Sequence, residues 1–546
     1  MDDAGRPEPL PEPVAAAAQA IDDGRAAAAG AYARADKVLD RTQYHVFRLF
    51  YVFLPNATII RRRRFQSVVV SRLLSDAGQQ ALAYGAIVAT VRGGGSAFES
   101  ALLGVAVVVP PTLFGLYGGT VADALPKRVA LAAVYNMQAA LCVLVPLLLG
   151  TDLAAAFFLL FAVHSLGQIS GPTESAVIPY VASEEELASA ASIVSFASNV
   201  GTAIGTALLA PIMVRLFGTD AVFYAGGLML ALAATRVYDL RTAEAPKRID
   251  WRRPPDVNIR ATIAWLVQQP AVGTMILLAV LAGTANVVLQ TLAPQYVSEV
   301  LGVDPADAVF VFGPSALGLA AALIMAPPFI RRFGERPVAL TGFIILTVTL
   351  VLLGLVDQLS PILAPVSPLR VVELVFQVEI SDDLQAAGVL AIFVGFGFSL
   401  AATAVQTYVN RRVPLGYQGR AFALQSVLKN GASIAPLLTL GAIAATIGVE
   451  AVLVVAPFAL LLMAFALVRF SAAMGGASPP RSLDVIASFW DRSEDHLDEP
   501  VDVPEPVLDS EAARPEPQRD DEHQQAERGR DEDPLRRPGS DEHAAL

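Results

Sequence analysis

One cysteine is present, Cys142, so the chain forms no disulfide within itself; lying in the apolar run 139–149, that thiol reads as a buried, inert side chain. No Cys/His cluster has metal-ligand spacing, so no metal is expected. Walker-type phosphate loops, serine elbows and paired catalytic carboxylates are missing as well. The expectation is a protein that is not an enzyme and uses no cofactor. Residues 1–20 hold acids and prolines but no basic stretch leading into an apolar core, so no cleavable signal peptide is expected. Charge is scarce too: 16% of the 546 residues are charged against 54% hydrophobic. That ratio cannot supply the charged skin of a soluble protein of this length, and it turns the apolar surface toward lipid.

The formal charge of -12 is local. Residues 481–546 carry twenty acidic against eight basic residues, which accounts for all of it. Acidity therefore describes a solvated tail and not a binding site, and nothing points to nucleic acid.

What is present is a series of apolar runs, each about the twenty residues that a helix needs to cross a bilayer. They lie at 67–91, 99–120, 129–150, 152–172, 188–213 and 220–238, then, after a polar stretch at 241–260, at 271–299, 307–329, 338–357, 387–408, 421–446 and 450–470. The fold class expected is an all-α membrane protein of twelve transmembrane helices in two six-helix bundles, 65–238 and 271–470, joined by a cytoplasmic linker at 239–270. Lys and Arg crowd alternate connectors: Arg61 to Arg64, Lys127 with Arg128, Arg331 with Arg332 and Arg336, Arg411 with Arg412 and Arg420. The opposite set holds little beyond Arg92 and Arg370. By the positive-inside rule both termini are cytoplasmic. Residues 1–64 form an N-terminal region in which 46–60, too short and interrupted by Pro55, suits a surface-lying helix. Residues 471–546 read as a disordered tail, with 483–490 able to touch the membrane surface. The long outside stretch 357–384 has room at 371–380 for a hairpin or interfacial helix.

The connector after the second run reads Gly118-Gly119-Thr-Val-Ala-Asp123-Ala-Leu-Pro126-Lys127-Arg128. This resembles the signature of the major facilitator superfamily, a glycine followed at fixed spacing by Asp and then basic residues. The segment from Arg72 through Ser75 and Asp76 to Gly78, the stretch 172–187 with Ile178-Pro179-Tyr180-Val181, and Gly419-Arg420-Ala421-Phe422 are similar to the branch of bacterial drug and siderophore exporters typified by macrolide efflux pumps and the enterobactin exporter. The resemblance covers about residues 65–470. It implies the major facilitator fold, a bacterial inner-membrane location, and efflux of a small amphipathic compound driven by protons through alternating access, with Gly119, Asp123, Lys127 and Arg128 gating the change. The expected partners are thus substrate, protons and membrane lipid, and a monomer suffices. A lipid flippase of the same fold and a non-transport scaffold or sensor are the rival readings. The halves also echo each other, Asn199 against Asn430 and Arg128-Val-Ala-Leu131 against Arg336-Pro-Val-Ala-Leu340, as in a duplicated bundle.

Charge inside a bilayer is expensive, so the few polar residues within the runs are the candidates for a pathway. Arg72, Asp76, Gln80 and Tyr84 recur every four residues on the first span. Either this stripe lines a central cavity with Asp76 in proton coupling, or Arg72 and Asp76 are a local ion pair one turn apart. His164 and Gln168 share a face of the fourth span, as a titrating pair or as packing. Asn286 with Gln290, and Thr403, Gln406 and Thr407, give uncharged stripes that suit substrate binding or helix association. Gln425, Lys429 and Ser433 line one face of the eleventh span. Three roles are open to Lys429: binding an anionic substrate, pairing with a carboxylate such as Asp76, or snorkelling to the inner surface. Ser189, Ser192, Ser195 and Ser198 lead into Gly201 and Gly205, small residues that predict close helix packing.

Overall fold

The structure, a computed structural model, describes residues 58–115, 125–183, 186–238, 259–370, 373 and 380–474. Among them every regular element is helical. Twelve long helices follow one another: α1 Arg63–Arg92, α2 Ala97–Phe114, α3 Lys127–Leu149, α4 Leu153–Val181, α5 Leu187–Ile204, α6 Ala221–Tyr238, α7 Pro270–Glu299, α8 Ser315–Phe333, α9 Glu335–Leu353, α10 Asp382–Arg412, α11 Leu415–Ile447 and α12 Val449–Met474. Beyond Ile204, α5 continues through a π-helical stretch Gly205–Leu209 into Ala210–Phe217.

Eleven of these are long and apolar enough to cross a membrane, and the twelfth, α1, is not apolar enough. Arg72, Asp76, Gln79 and Gln80 lower its hydropathy. It tolerates them because it packs against α2, α4, α5, α6 and α7, and 17 of its 30 residues are buried. A helix enclosed by other helices has protein, not lipid, as its solvent.

Local chemistry sets the ends. Ser96 and Glu99 form a reciprocal capping box on α2, and Asp152 accepts from the Ala155 amide at 3.0 Å to start α4. Gly218 and Gly448, both at φ 90°, end the fifth and eleventh spans in a conformation that L side chains rarely adopt. They stand 230 positions apart, each directly before the last helix of its half, as a duplicated unit requires.

A large buried apolar cluster lies in each half: Phe65, Leu82, Leu131, Leu159 and Phe223 belong to that of the first, Ile276, Phe343, Leu400 and Val405 to that of the second. Two contact zones join the halves. α2 lies along α11, where a Cβ on Gly441 would come within 2.4 Å of the Ala101 side chain and one on Gly431 within 3.2 Å of Thr112. At the Arg92 end of the bundle, Val88, Val214, Val222 and Ala306 form a small buried cluster against which Tyr84 and Met213 pack. There Arg92 donates to the Val214 carbonyl at 2.9 Å and pairs with Asp304 at 3.3 Å, tying α1 to the end of the fifth span and to the α7–α8 connector. Among the described residues, no packing of comparable extent joins α4 or α5 to α8 or α10.

Three expectations change. The fourth span, placed at 152–172, runs on to Val181, because Pro172 and Pro179 are accommodated within the helix. The eighth, placed at 307–329, is broken at Gly313 and Pro314, so that a five-residue helix Ala308–Phe312 precedes α8. Of the stretch read as surface-lying, Thr58–Arg61 is a single 3-10 turn whose Ile59 and Ile60 are buried in the first half's core. Residues 46–57, the Gly118, Gly119 and Asp123 part of the connector signature, 371–380 apart from its residues 373 and 380, and the tail from 475 onward with its 483–490 segment lie outside the described residues.

Candidate functional site

Inside the first half, one guanidinium meets two carboxylates from two helices. Arg72 Nε lies 2.7 Å from Asp76 Oδ2, one turn along α1, and Arg72 Nη1 pairs with Glu174 of α4. Tyr135 of α3 donates its hydroxyl to the other oxygen of Glu174. Ser198 of α5 donates to Asp76 Oδ2 and accepts from Arg72 at 3.3 Å. Four helices therefore converge on one ionic centre. Fully ionised, it carries one surplus negative charge, which a low-dielectric interior penalises. Access is graded: the Arg72 and Asp76 side chains are 25% and 16% exposed, whereas that of Glu174 is 2% exposed.

Glycines let the helices approach this closely. A Cβ on Gly201 would lie 2.4 Å from the Leu73 carbonyl, and one on Gly205 2.4 Å from the Ala77 carbonyl, both backbone atoms that cannot yield. The close packing expected of the serine and glycine positions is thus an α1–α5 contact. It delivers Ser198 to Asp76.

The stripe on α1 divides its tasks. Arg72 and Asp76 enter the ionic centre. Gln80 packs on Gly205 of the fifth span, and Tyr84 packs into the cluster at the Arg92 end. The reading of Arg72 and Asp76 as a self-neutralising pair is incomplete, because Glu174 and Tyr135 were not among the candidates. Glu174 is a charged residue two positions after Pro172, in a connector if the span ends at that proline and inside the helix as it stands.

The other candidates lie apart from this centre. His164 Nδ1 is 2.9 Å from the Leu160 carbonyl and Gln168 donates to the His164 carbonyl at 3.0 Å, bonds confined to α4. On α7, Gln290 donates to Asn286 at 2.6 Å. Gln406 is exposed on α10. Lys429 of α11 lays its stem over Gly283 of α7, while Gln425 sits one turn before it. Asp76 is occupied by Arg72 and Ser198, so it is not the partner of Lys429 in this conformation. From the connector signature, Lys127 begins α3 and Arg128 stacks over the Tyr238 ring at 5.8 Å. The matching end of the second half is clasped by Arg411 on Glu335 at 2.6 Å and by Arg336 on the Tyr408 hydroxyl at 2.9 Å.

Known proteins share this fold. A family model described as Major Facilitator Superfamily matches residues 68–436. The solved nucleoside transporter NupG superposes with a TM-score of 0.56 at 14% identity, over 76% of this chain and 100% of that one. A bacterial homolog of the human lysosomal transporter Spinster, inward-facing and unoccupied, gives 0.58 at 14% over 77% and 100%, and a D-xylose-proton symporter gives 0.55 at 13% over 76% and 99%. At such identities the likeness is one of fold. No curated protein matches the sequence. The family match spans well over half of the chain and the twelve helices agree with it: this protein is a multi-pass membrane protein belonging to the Major Facilitator Superfamily.

Proposed function

We propose that the chain is a proton-coupled exporter of small amphipathic molecules, of the drug and siderophore exporter branch, working by alternating access in a bacterial inner membrane with both termini cytoplasmic. The observation that carries the reading is the Arg72, Asp76 and Glu174 centre, with one cation for two carboxylates at membrane depth. Uptake of one proton neutralises it, and Asp76, the more exposed acid, is the entry point. A protonated Asp76 gives up its charge-assisted bonds to Arg72 and Ser198, which loosens α5 against α1. Outward direction rests on the exporter-like segments of the sequence. Orientation rests on the basic connectors at the Arg63 end, which make the Arg92 end, with its Arg92–Asp304 clasp, the outer one.

The test labels the α5–α6 turn and the α7–α8 connector with nitroxides in a Cys142→Ala background and follows their separation with pH in nanodiscs. A pH-dependent distance distribution is expected in the parent protein and none in Asp76→Asn. A pH response that persists in both Asp76→Asn and Glu174→Gln would remove the centre from coupling. In vesicles, pH-driven flux of a transported amphiphile should fall to background with Asp76→Asn.

One feature favours the flippase reading. A cavity of about 630 Å³ in the second half, among α7, α9, α11 and α12, is walled almost wholly by apolar side chains such as Leu281, Leu292, Pro436 and Leu460, a lining that suits an acyl chain. Bleaching of a fluorescent phospholipid by an external quencher, faster in vesicles holding the protein than in empty ones, would select it.

A further inference from the structure

Lys429 stands eight residues past Ala421, where the part of α11 apolar enough to cross a membrane begins, about 12 Å along the helix axis at 1.5 Å per residue. With a hydrocarbon layer of about 30 Å, that is near mid-membrane and beyond easy snorkelling to either surface. The side chain is seated. A Cβ on Gly283 would fall 2.5 Å from its Cδ and 2.6 Å from its Cγ, so the absent side chain of Gly283 is the notch that receives the lysine stem. Ser433 fixes the backbone beneath it, donating to the Lys429 carbonyl at 2.6 Å while lying 3.3 Å from the Thr284 hydroxyl of α7.

The ammonium has no ion pair among the described residues. Both acids of the ionic centre are engaged elsewhere, Glu174 by Arg72 and Tyr135, Asp76 by Arg72 and Ser198. Amide side chains stand on the two helices that meet at this notch. Asn286 and Gln290 follow Gly283 on one face of α7, at i+3 and i+7. Gln290 occupies the Asn286 oxygen at 2.6 Å, which leaves the Asn286 N–H donors without a partner among the described residues. Gln425, one turn before Lys429, has a buried Oε1 with no hydrogen-bond partner there.

A seated cation with no counter-charge among the described residues is a receptor for an anion. We infer that Lys429 binds the acidic group of an amphipathic monoanion, an organic carboxylate or sulfonate, that Gln425 accepts from a hydroxyl or N–H beside that group, and that Asn286, one turn past the Gly283 notch, donates to a polar atom farther along the molecule. The charge count sets the valence. One lysine neutralises one negative charge, and a dianion would carry its surplus into the membrane. This rests on the transport reading and narrows its substrate class.

The experiment uses the full chain purified in dodecyl maltoside, with naphthalene-2-acetate and decanoate as anionic probes. Naphthalene-2-acetamide and a naphthylmethyl trimethylammonium salt are the neutral and cationic counterparts. Both carboxylates should raise the melting temperature of the parent protein, and the amide and ammonium should not. A charge-assisted pair corresponds to a change of about 10- to 100-fold in Kd, which is the weakening expected in Lys429→Gln; Lys429→Arg should keep most of the affinity, and Asn286→Ala should lose a smaller part. Equal binding of amide and carboxylate, unchanged affinity in a folded Lys429→Gln, or no carboxylate binding to the parent protein would each overturn the inference. The transport reading fails on a different readout: anion binding intact, with no pH-dependent change in the nitroxide distances.

Discussion

Arg72 and Glu174, 102 positions apart in the chain, meet as an ion pair in which the glutamate is all but fully enclosed and the arginine keeps a quarter of its side chain open. Because Arg72 also holds Asp76, its role is not interchangeable with that of either acid. Arg72→Leu leaves two carboxylates facing each other without a counter-charge and should cost about 3–5 kcal/mol, the usual penalty for stranding a buried charge. Glu174→Gln leaves a balanced Arg72–Asp76 pair and should cost far less. Thermal unfolding in detergent should therefore rank Glu174→Gln well above Arg72→Leu, and the reverse order would contradict the two-to-one charge count.

Tyr135 closes the buried side of Glu174. Tyr135→Phe removes one bond to a charged acceptor in a dry site, for which about 1.5–3 kcal/mol is expected. The same unfolding assay reads it.

Glycines near the centre should differ sharply in what they tolerate. Gly201→Ala drives a methyl into the Leu73 carbonyl and should destabilise by about 1–3 kcal/mol while prising Ser198 from Asp76. Gly171 has only the Arg72 guanidinium, 4.0 Å from a Cβ built there, which is ordinary contact. Gly171→Ala should then be neutral or gain up to about 1 kcal/mol from helix propensity. A shared response of the two variants would argue against the α1–α5 contact described above.

The Arg92–Asp304 clasp is more than a third exposed on each side, so its worth is at most about 1 kcal/mol. Asp304→Asn should raise the ratio of open to closed at that end by no more than about fivefold, read from the nitroxide distances. Exchanging the charges, Arg92→Asp with Asp304→Arg, should restore much of the closed state.

Cys142 is a free thiol buried among the first half's helices. Maleimide should leave it unmodified in the folded protein and label it fully in denaturing detergent; rapid labelling of folded protein would place it elsewhere.

Spans were legible in the sequence because about twenty apolar residues in a row leave few other folds, and the halves were legible because basic connectors and repeated segments mark them. Arg72 and Asp76 stood out as charges in an apolar run. Glu174 did not, since Pro172 marks the end of a helix in water and not in a bilayer, where neighbouring helices satisfy the freed backbone groups. Ser198 was visible only as one of a row of small residues. Which serine matters is decided by the crossing of α5 over α1 at Gly201 and Gly205, a tertiary fact that one-dimensional spacing does not contain. Gly283 was silent for the same reason: its meaning is the lysine from another helix that lies on it.

The five-residue π stretch Gly205–Leu209 separates two parts of the fifth span that have different duties. Below it, Ser198 belongs to the ionic centre; above it, the Val214 carbonyl receives Arg92. A wide turn stores one residue beyond the regular repeat and can pass it along the helix by exchanging one backbone bond at a time, without the helix melting. The lower segment can therefore swivel about its own axis while the upper one stays fixed to its guanidinium. Events at the carboxylates meet a slipping joint, not a rigid rod, before the Arg92 clasp, and deletion of one residue within that turn would restore the regular repeat and fix the two segments to each other.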